Sequence, residues 1–449
     1  MPQVSVILTS YNHEKYIREA IDSVLAQTFN DFDLIIWDDA SSDKSWEIIN
    51  SFIDVRIARY RNAQNMRGGN INRALKVVLG EYIAIHHSDD IWEPDKLERQ
   101  VAFLNNHPDI GAVFTNALAI GEDGSLLNKP GHFYSNIFDQ PNRTRHEWLN
   151  HFFYKGNALC HPSVLIRKQC YDTCGPYRYY FAQLTDLDMW IRLCMKYDIH
   201  VMPEKLVRFR VRADEANASG DKPETRVRGA TEFFLLLRNY LKITSKEEMA
   251  AIFPDAKTYL KDKGFVPEFV IAITALNANT NPMLKAFGVL LLFDLLSDSD
   301  KYDKIRLTHG FDYMDLKRIS GQFDIFFIEA VSELSKALSD RDSLNAKLNE
   351  TLTNQYRQLS GLRQEVAERN EHISGLNQAV ADRDSTINNL KAFTKNLSRL
   401  IEEKDTLISQ LMSSNSWRIT RPLRVIARLL RGQYGIYFSF FKKAHSNKP

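Results

Sequence analysis

Residues 82–90 read Tyr-Ile-Ala-Ile-His-His-Ser-Asp-Asp, and Ile-Trp-Glu-Pro-Asp follows at 91–95 as a turn into a helix. The apolar run predicts a buried β-strand that delivers Asp89 and Asp90 to the edge of a sheet. Adjacent carboxylates repel each other unless a cation or hydrogen-bond donors offset their charge, so the pair indicates a divalent metal or a polyhydroxyl ligand. The alternative is a solvated loop that caps the helix beginning near Pro94.

Strand and helix patterns alternate in the chain before this stretch. Apolar runs predict strands at 4–9, 32–37, 55–60 and 81–86, and helical spacing of apolar residues predicts helices between them, for example at 14–27 and 71–79. This alternation predicts a parallel α/β, Rossmann-like sheet, whose ligands bind outside the carboxyl ends of the strands. Polar clusters follow three strands, at 9–12, 38–39 and 88–90, and so outline one cleft.

The side chains of these clusters suit a nucleotide bearing phosphates. Tyr11 offers a ring that stacks on a base, and Asp39 offers an acceptor for a base imide N–H, which favours UDP or dTDP over GDP. Asp89 and Asp90 suit ribose hydroxyls and a metal that bridges phosphates. A half-buried loop aromatic and a helix cap are the alternatives for Tyr11 and Asp39.

Composition limits the class of protein. A chain of 449 residues is too long for one ordinary core, so we expect two or three domains. The formal net charge of only +2 argues against a global nucleic-acid binder. No basic region precedes a long apolar core at the start, so no secretory signal is visible and we expect cytoplasmic residence. The apolar run at 288–296 is shorter than the ~20 residues that span a bilayer.

The motifs of the first half, in their order and spacing, resemble family 2 glycosyltransferases with the GT-A fold. They are Val-Ser-Val-Ile-Leu-Thr-Ser-Tyr-Asn at 4–12, Asp-Asp-Ala-Ser-Ser-Asp at 38–43, Asn65-x-x-Gly68, and Gly-Glu-Tyr-Ile at 80–83 running on to Ser-Asp-Asp at 88–90. The resemblance covers roughly residues 3–215. It implies transfer of a sugar from a nucleoside diphosphate donor with inversion at the anomeric carbon, helped by Mg²⁺ or Mn²⁺.

The resemblance also assigns the donor site residue by residue. It implies that Asp90, with Asp89, binds the metal, and that the nucleotide sugar contacts Thr9, Tyr11, Asn12, Asp39, Asn65, Ser88, Asp89 and Arg212. Two departures stand out, because His87 occupies a place where an acid is common and Ala40 replaces a common glycine. Arg212 stands where a histidine is frequent, which suits contact with phosphate rather than metal ligation.

Two further segments resemble the acceptor side of the family. His161 and Ser163, within Cys160–Arg167, are expected to line the acceptor site, with a purely structural turn as the alternative. Residues 184–192 resemble a Glu-Asp-x-Asp-Leu-Trp pattern in which Thr185 replaces the glutamate. This match makes Asp186 the general base, with Asp188 as the second choice and helix capping as the alternative role of Asp186.

The C-terminal part has a different character. We expect a GT-A domain at 1–225, a helical domain at 226–328, a coiled coil at 329–412 and a basic amphipathic tail at 413–449. Apolar residues recur by three and four along the third segment, β-branched in one set and mostly leucine in the other, with Asn345 at a core position. That pattern predicts one long parallel homodimeric coiled coil of about 120 Å, with a single solvated helix as the alternative.

The tail predicts attachment to an anionic membrane surface. Arginines recur by three and four on one face of 421–431, apolar residues lie opposite, and Trp417 stands at the start. Nucleic-acid binding is the less favoured alternative. We therefore expect an inverting glycosyltransferase, peripheral on the cytoplasmic face of the inner membrane, that extends a lipid-linked surface polysaccharide such as O-antigen or capsule. The alternative is a catalytically inactive nucleotide-sugar-binding scaffold or chain-length regulator.

Overall fold

A computed structural model describes residues 1–127, 132–213, 216–217, 219–261, 265–278, 281–368 and 373–413. The chain divides into two compact units, Met1–Phe323 and Asp324–Pro449. The first unit holds the sheet and the helices that cover it. The second unit holds two long helices.

One mixed sheet of eight strands organises the first unit, in the order β3-β2-β1-β4-β7-β6-β8-β5. The first four strands are parallel, as the alternating sequence pattern predicts. The strand order reverses between β1 and β4, and ligands of such sheets bind at this switch point. The strands are β1 (Val4–Ser10), β2 (Phe32–Asp38), β3 (Ile57–Arg61), β4 (Tyr82–His87), β5 (Ile91–Trp92), β6 (Ile110–Ile120), β7 (Leu165–Arg167) and β8 (Asp198–Arg210).

The sheet is not parallel throughout, which differs from the expectation. β7 runs antiparallel to both β4 and β6, and β5 runs antiparallel to β8. The preceding turn places the ring of His161 5.1 Å from that of His87, at the end of β4. After this turn, β7 runs back along the first half of β4, from Leu165 opposite Ala84 to Arg167 opposite Tyr82.

Helices cover the sheet through their apolar faces. In α1, for example, Ile17, Ala20, Ile21 and Val24 are buried, and they join the strand residues in one core cluster. The helix expected at 71–79 is shorter and starts at Asn70. The helices of this unit are α1 (Ile17–Leu25), α2 (Ser45–Ser51), α3 (Asn70–Ala74), α4 (Lys96–Asn106), α5 (Arg145–Lys155), α6 (Lys168–Cys174), α7 (Thr185–Cys194), α8 (Pro223–Leu236), α9 (Lys246–Ile252), α10 (Pro267–Asn277), α11 (Pro282–Ser297), α12 (Ser299–His309) and α13 (Tyr313–Gln322).

Two helices, α14 (Ile328–Glu368) and α15 (Ile373–Ser413), make up the described part of the second unit. Where side-chain burial is described, a half-buried stripe runs along each helix at the spacing of three and four residues that the sequence predicts. Its members are Val331, Leu334, Leu338, Arg341, Asn345, Leu348, Leu352 and Leu359 in α14, and Arg383, Ile387, Leu390, Thr394, Leu397 and Ile401 in α15.

The single continuous rod predicted from this pattern is wrong, because the two helices run antiparallel. Arg341 Nη1 of α14 lies 2.7 Å from Asp405 Oδ1 of α15, although 64 residues separate them. A straight helix would hold these residues about 96 Å apart, at 1.5 Å per residue. The chain therefore reverses between the two helices, and the seam assigned to a parallel partner chain is filled at least in part from within the same chain.

None of the described helices is both long enough and apolar enough to cross a bilayer. The predicted amphipathic tail, apart from Ser413, lies outside the described residues, so the membrane-binding surface stays a prediction.

Candidate active site

The carboxyl ends of three parallel strands meet at one edge of the sheet. Ser10 of β1 pairs with Asp38 of β2, and Thr9 of β1 pairs with His87 of β4. The Asp39 N–H donates to the Ser10 carbonyl at 2.8 Å, which joins the first two ends directly. The three polar clusters predicted from the sequence are thus brought together.

Asp39, which is predicted to bind the nucleoside, has a buried carboxylate held by two hydrogen-bond donors. It is 5% exposed, and its Oδ1 accepts hydrogen bonds from Asn62 Nδ2 at 2.6 Å and from the Met66 N–H at 2.9 Å. These donors orient the carboxylate, while Tyr11, 44% exposed, stands beyond the end of β1 as an accessible ring. Sequence reasoning missed Asn62, which lies just after β3 within a polar stretch that carries no motif.

Two of the residues expected to contact the donor form hydrogen bonds within the loops around the cleft. Asn12 Oδ1 accepts from the Ser42 N–H at 2.8 Å, which ties together the loops after β1 and β2. Asn65 is exposed, and its Oδ1 accepts from the Arg67 N–H at 2.7 Å. Both side chains shape the loops around the cleft.

His87, Asp89 and Asp90 form a candidate metal site. One ligand atom from each of the three lies within 4.8 Å of the others. Asp90 is 1% exposed, and its Oδ1 accepts from the Arg210 N–H at 2.8 Å. Its buried Oδ2 has no well-formed hydrogen bond among the described residues, and its nearest positive group is His87 Nδ1 at 3.5 Å. A buried carboxylate oxygen with so weak a partner is costly, so a cation suits this position. His87, noted in the sequence only as a departure, belongs to this group.

The pKa values of Asp90 and His87 show that negative charge is concentrated in this group. Burial, aided by the charge of Asp89, raises the pKa of Asp90 to about 6. Burial by itself lowers the pKa of His87, but Asp90, Asp89 and Asp186 together outweigh it and raise that pKa above its usual value. A protonated His87 imidazole offsets part of the negative charge of Asp89 and Asp90, and a divalent ion would offset all of it.

His13 and Arg212 lie beside the candidate metal site. His13 Nδ1 lies 2.7 Å from Ser88 Oγ, and its Nε2 lies 2.8 Å from Arg212 Nη1. Burial lowers the pKa of His13, the nearby charge of Arg212 lowers it further, and the carboxylate of Asp89 opposes both. Arg212 and Ser88 thus both contact His13. His13 was not predicted, because only the fold brings it within reach of residues far along the chain.

Asp186 lies in the first turn of α7. This helix approaches the candidate metal site through His161, whose ring lies 5.1 Å from that of His87 and 5.6 Å from that of Trp190 in α7. The Asp186 Oδ2 accepts from Asn157 Nδ2 at 2.7 Å, and its Oδ1 accepts from the Leu187 N–H at 2.8 Å. Burial raises the pKa of Asp186 to about 6, although these hydrogen bonds act in the opposite direction. A carboxylate with this pKa is ionised at pH 7 and is a better proton acceptor than an exposed aspartate.

Asp188, the second choice for the base, has a structural role. It is fully buried, its Oδ1 accepts from Arg178 at 3.0 Å and from Asn239 at 2.9 Å, and its Oδ2 accepts from Arg192 at 2.8 Å. Both oxygens are therefore engaged with donors that hold the carboxylate in place. Of the two aspartates, Asp186 is left as the candidate base.

His161 and Ser163, the two residues predicted to line the acceptor site, have different environments in the structure. His161 is half-buried, lies 2.9 Å from the Tyr177 hydroxyl through Nε2, and packs against His87. Ser163 is fully buried, donates to the Cys160 carbonyl at 2.7 Å and accepts from the Thr115 N–H at 3.2 Å. The expectation that Ser163 lines the acceptor site is therefore wrong, because its hydroxyl closes the structural turn.

Comparison with known proteins now adds to this geometry. The family model described as Glycosyl transferase family 2 matches residues 5–167. The uncharacterised glycosyltransferase MJ1057 of Methanocaldococcus jannaschii is 31% identical over 216 residues, which cover 47% of this chain and 71% of that relative. The chain belongs to the family 2 glycosyltransferases. This family 2 glycosyltransferase has a GT-A-type α/β fold followed by a helical C-terminal region.

Two other similar proteins have more specific names. The UDP-Glc:alpha-D-GlcNAc-diphosphoundecaprenol beta-1,3-glucosyltransferase WfaP of Escherichia coli is 39% identical to this glycosyltransferase over 105 residues, covering 23% of this chain and 42% of WfaP. The crystal structure of S. aureus TarS 1–349 in complex with UDP-GlcNAc superimposes with a TM-score of 0.45 and 18% identity, covering 70% of this chain and 93% of that one.

Proposed function

We propose that this glycosyltransferase moves a sugar, with inversion, from a nucleoside diphosphate donor to a hydroxyl group of a growing lipid-linked surface polysaccharide such as O-antigen or capsule. The observation that carries the proposal is the link between α7, whose first turn holds Asp186, and the group His87, Asp89 and Asp90, since the ring of His161 packs against both His87 and Trp190 of α7. In this proposal Asp186 is the base, and the group His87, Asp89 and Asp90 binds the diphosphate through a metal ion.

The donor end of the cleft supports a pyrimidine nucleotide. Asp39 Oδ1 is held by Asn62 and Met66, which leaves the second oxygen of a buried carboxylate for the imide N–H of uracil or thymine. Tyr11 supplies a face for stacking. UDP or dTDP is therefore the favoured nucleotide.

The diphosphate end supports Mg²⁺ or Mn²⁺, both of which prefer oxygen ligands. Asp90 Oδ2 would hold the ion, with Asp89 and His87 beside it, and the ion would neutralise charge on the departing diphosphate. Arg212 and His13 stand next to this group, and Arg212 is placed to contact a phosphate oxygen.

Inversion requires one base. The acceptor oxygen attacks the anomeric carbon from the face opposite the diphosphate, the bond from that carbon to the phosphate oxygen breaks, and Asp186 takes the acceptor hydroxyl proton. Asn157 and the Leu187 N–H hold the carboxylate during this step. The retention of a well-oriented carboxylate here favours transfer over the alternative of an inactive scaffold.

Two observations support a lipid-linked acceptor, one from a relative and one from the C-terminal sequence. The name of WfaP places its acceptor sugar on a diphosphoundecaprenol carrier. The sequence of residues 421–431 combines four regularly spaced arginines with an apolar face, which suits the surface of an anionic membrane. Binding there would keep the enzyme peripheral on the cytoplasmic face of the inner membrane, beside an acceptor whose lipid end is embedded.

The test begins with the donor. The melting temperature of the full chain is measured in Mn²⁺ with UDP-glucose, UDP-N-acetylglucosamine, dTDP-rhamnose or GDP-mannose, and the stabilising donor is then offered, radiolabelled, with a lipid extract of the source membranes. We expect a uridine or thymidine donor to stabilise the protein and label to enter the lipid fraction. No stabilisation by any donor, or label that enters only water-soluble glycans, would contradict the proposal.

Membrane docking is tested separately. Deleting residues 416–449 should release the protein from phosphatidylglycerol-containing liposomes in a flotation assay, with phosphatidylcholine liposomes as the control. Equal flotation of the full and truncated chains would rule out the anchor.

A further inference from the structure

The position of Asp186 depends on the loop that enters α7. Asp186 is the second residue of this helix, and no side chain of the loop itself caps the helix at Leu184. Thr185 stands where the resemblance expects a glutamate, and its hydroxyl donates to the Arg178 carbonyl at 3.4 Å. Residues 182–184, just before this helix, are held by a partner from elsewhere in the chain.

That partner is Glu232 of α8. Its Oε1 accepts from the Ala182 N–H at 2.7 Å, and its Oε2 accepts from the N–H groups of Gln183 and Leu184 at 2.7 and 2.8 Å. Three successive N–H groups that converge in this way make an anion-binding concavity, and hydrogen bonds to a carboxylate are stronger than those between neutral groups. Glu232 is only 4% exposed, so these bonds are shielded from water.

The same stretch of chain also fixes the residue that follows the base. Asn239, in the 3₁₀ turn after α8, donates to Asp188 Oδ1 at 2.9 Å, and Arg178 of the loop binds the same oxygen at 3.0 Å. Glu232 thus holds the chain just before Asp186, and Asn239 holds it just after. The helical region after the sheet reaches the catalytic helix on both sides of the base.

We propose that Glu232 is a positioning residue for glycosyl transfer, which holds the loop 182–184 so that the carboxylate of Asp186 meets the acceptor hydroxyl. This inference rests on the proposed role of Asp186 as the base. The donor cleft is built from strand ends that Glu232 does not contact, so its effect should fall on the transfer step and not on donor binding.

The test is Glu232→Gln, with Glu224→Gln as the matched control on the exposed side of the same helix. The amide oxygen can still accept, but the amide nitrogen is a donor that faces another N–H, so the loop shifts. Because a displacement near 1 Å can cost ~100-fold in rate, we expect kcat to fall about 10- to 100-fold. The donor KM and the stabilisation by Mn²⁺ with donor should stay within about twofold of wild type under the same reasoning.

Two further measurements keep the inference refutable if Glu232→Gln folds poorly. Glu232→Asp keeps the charge on a shorter side chain, so it should recover part of the lost kcat. Hydrogen–deuterium exchange should show faster exchange at 182–184 in either variant and unchanged exchange at 82–90. Wild-type kcat in Glu232→Gln, or loss of donor binding together with kcat in both variants, would overturn the positioning role.

The outcomes separate this inference from the proposed function. If Asp186→Asn keeps wild-type transfer, the assignment of the base fails whatever Glu232 does. If Asp186→Asn is inactive while Glu232→Gln transfers normally, the base stands and only the role of Glu232 is refuted.

Discussion

Replacing Asp186 with asparagine should abolish transfer while making the folded protein more stable at neutral pH. Asparagine has almost the same shape as aspartate but cannot accept a proton from the acceptor hydroxyl. A positioned general base contributes roughly 10²- to 10⁴-fold to a rate, so kcat should fall by about that factor. The donor should still bind, because Asp186 lies outside the nucleoside and diphosphate sites.

The gain in stability follows from the pKa of Asp186, which burial raises from 3.8 to about 6. A carboxyl whose pKa is higher in the folded state holds its proton more tightly there, so its ionisation costs folding free energy as the pH rises through both values. The full cost is about 3 kcal/mol, at 1.36 kcal/mol per pKa unit, and this is an upper value because Asp186 keeps some contact with water. Asparagine carries no such cost, but its amide nitrogen cannot accept the hydrogen bond from Asn157, a loss of about 1 kcal/mol at every pH.

The stability difference should therefore depend on pH with a definite sign. Relative to wild type, the unfolding free energy of Asp186→Asn should be about equal at pH 4.5 and higher by up to about 2 kcal/mol at pH 8, once the lost hydrogen bond is subtracted. Urea unfolding in EDTA at the two pH values measures this difference without interference from metal binding. Asp90 titrates in both proteins, so its contribution cancels.

Two results would refute this reasoning. Transfer at the wild-type rate by Asp186→Asn would exclude Asp186 as the base. A stability difference that stays the same from pH 4.5 to pH 8 would show that the carboxylate is not destabilised by burial. In wild type, kcat/KM for the acceptor should rise with pH up to about 6 and then level off, since the base must be ionised.

Three more variants test other parts of the structure. Asp90→Asn should remove the stabilisation that Mn²⁺ gives the wild-type protein, about 2.7 kcal/mol when Mn²⁺ is at 100 times its dissociation constant, in a thermal-shift titration; an unchanged shift would place the ion elsewhere. Ala40 has a φ of 60°, which disfavours any residue except glycine, so Ala40→Gly should stabilise the protein by about 0.5–1 kcal/mol in urea unfolding, and a loss of stability would contradict the strain. Asn345 and Ile401 lie one turn from the Arg341–Asp405 pair on facing helices. The double variant Asn345→Cys with Ile401→Cys should therefore form a disulfide within one chain, which a non-reducing gel detects. Cross-linked dimers from Asn345→Cys alone would instead support the parallel coiled coil.

Ala40 shows how far a local pattern reaches. The sequence marks it as the residue that replaces a common glycine, and the left-handed backbone at this position explains why glycine suits the turn. The strands were also predictable from local sequence, since short apolar runs such as those at 4–9 and 82–85 favour buried strands. Bringing Tyr11, Asp39 and Asp90 to one edge then followed from the parallel order of the first strands.

Ser163 and the C-terminal helices show where such patterns stop. A hydroxyl next to a histidine in a turn suits either an acceptor site or a structural turn, and only the packing against Cys160 and Thr115 decided for the turn. The spacing of apolar residues in α14 and α15 determined that each helix has a seam. It did not determine whether another chain or the same chain fills that seam.

The sequence by itself determined the α/β fold class, the family and the polar residues that follow the first parallel strands, because these depend on short motifs and on periods of two and 3.6 residues. Only the tertiary structure decided that His87 joins Asp89 and Asp90, that His13 meets Arg212, and that Glu232 holds the loop before Asp186. The physical reason is the distance along the chain. His13 and Arg212 are 199 residues apart, and no local periodicity records which side chains meet once the sheet and the helices have packed.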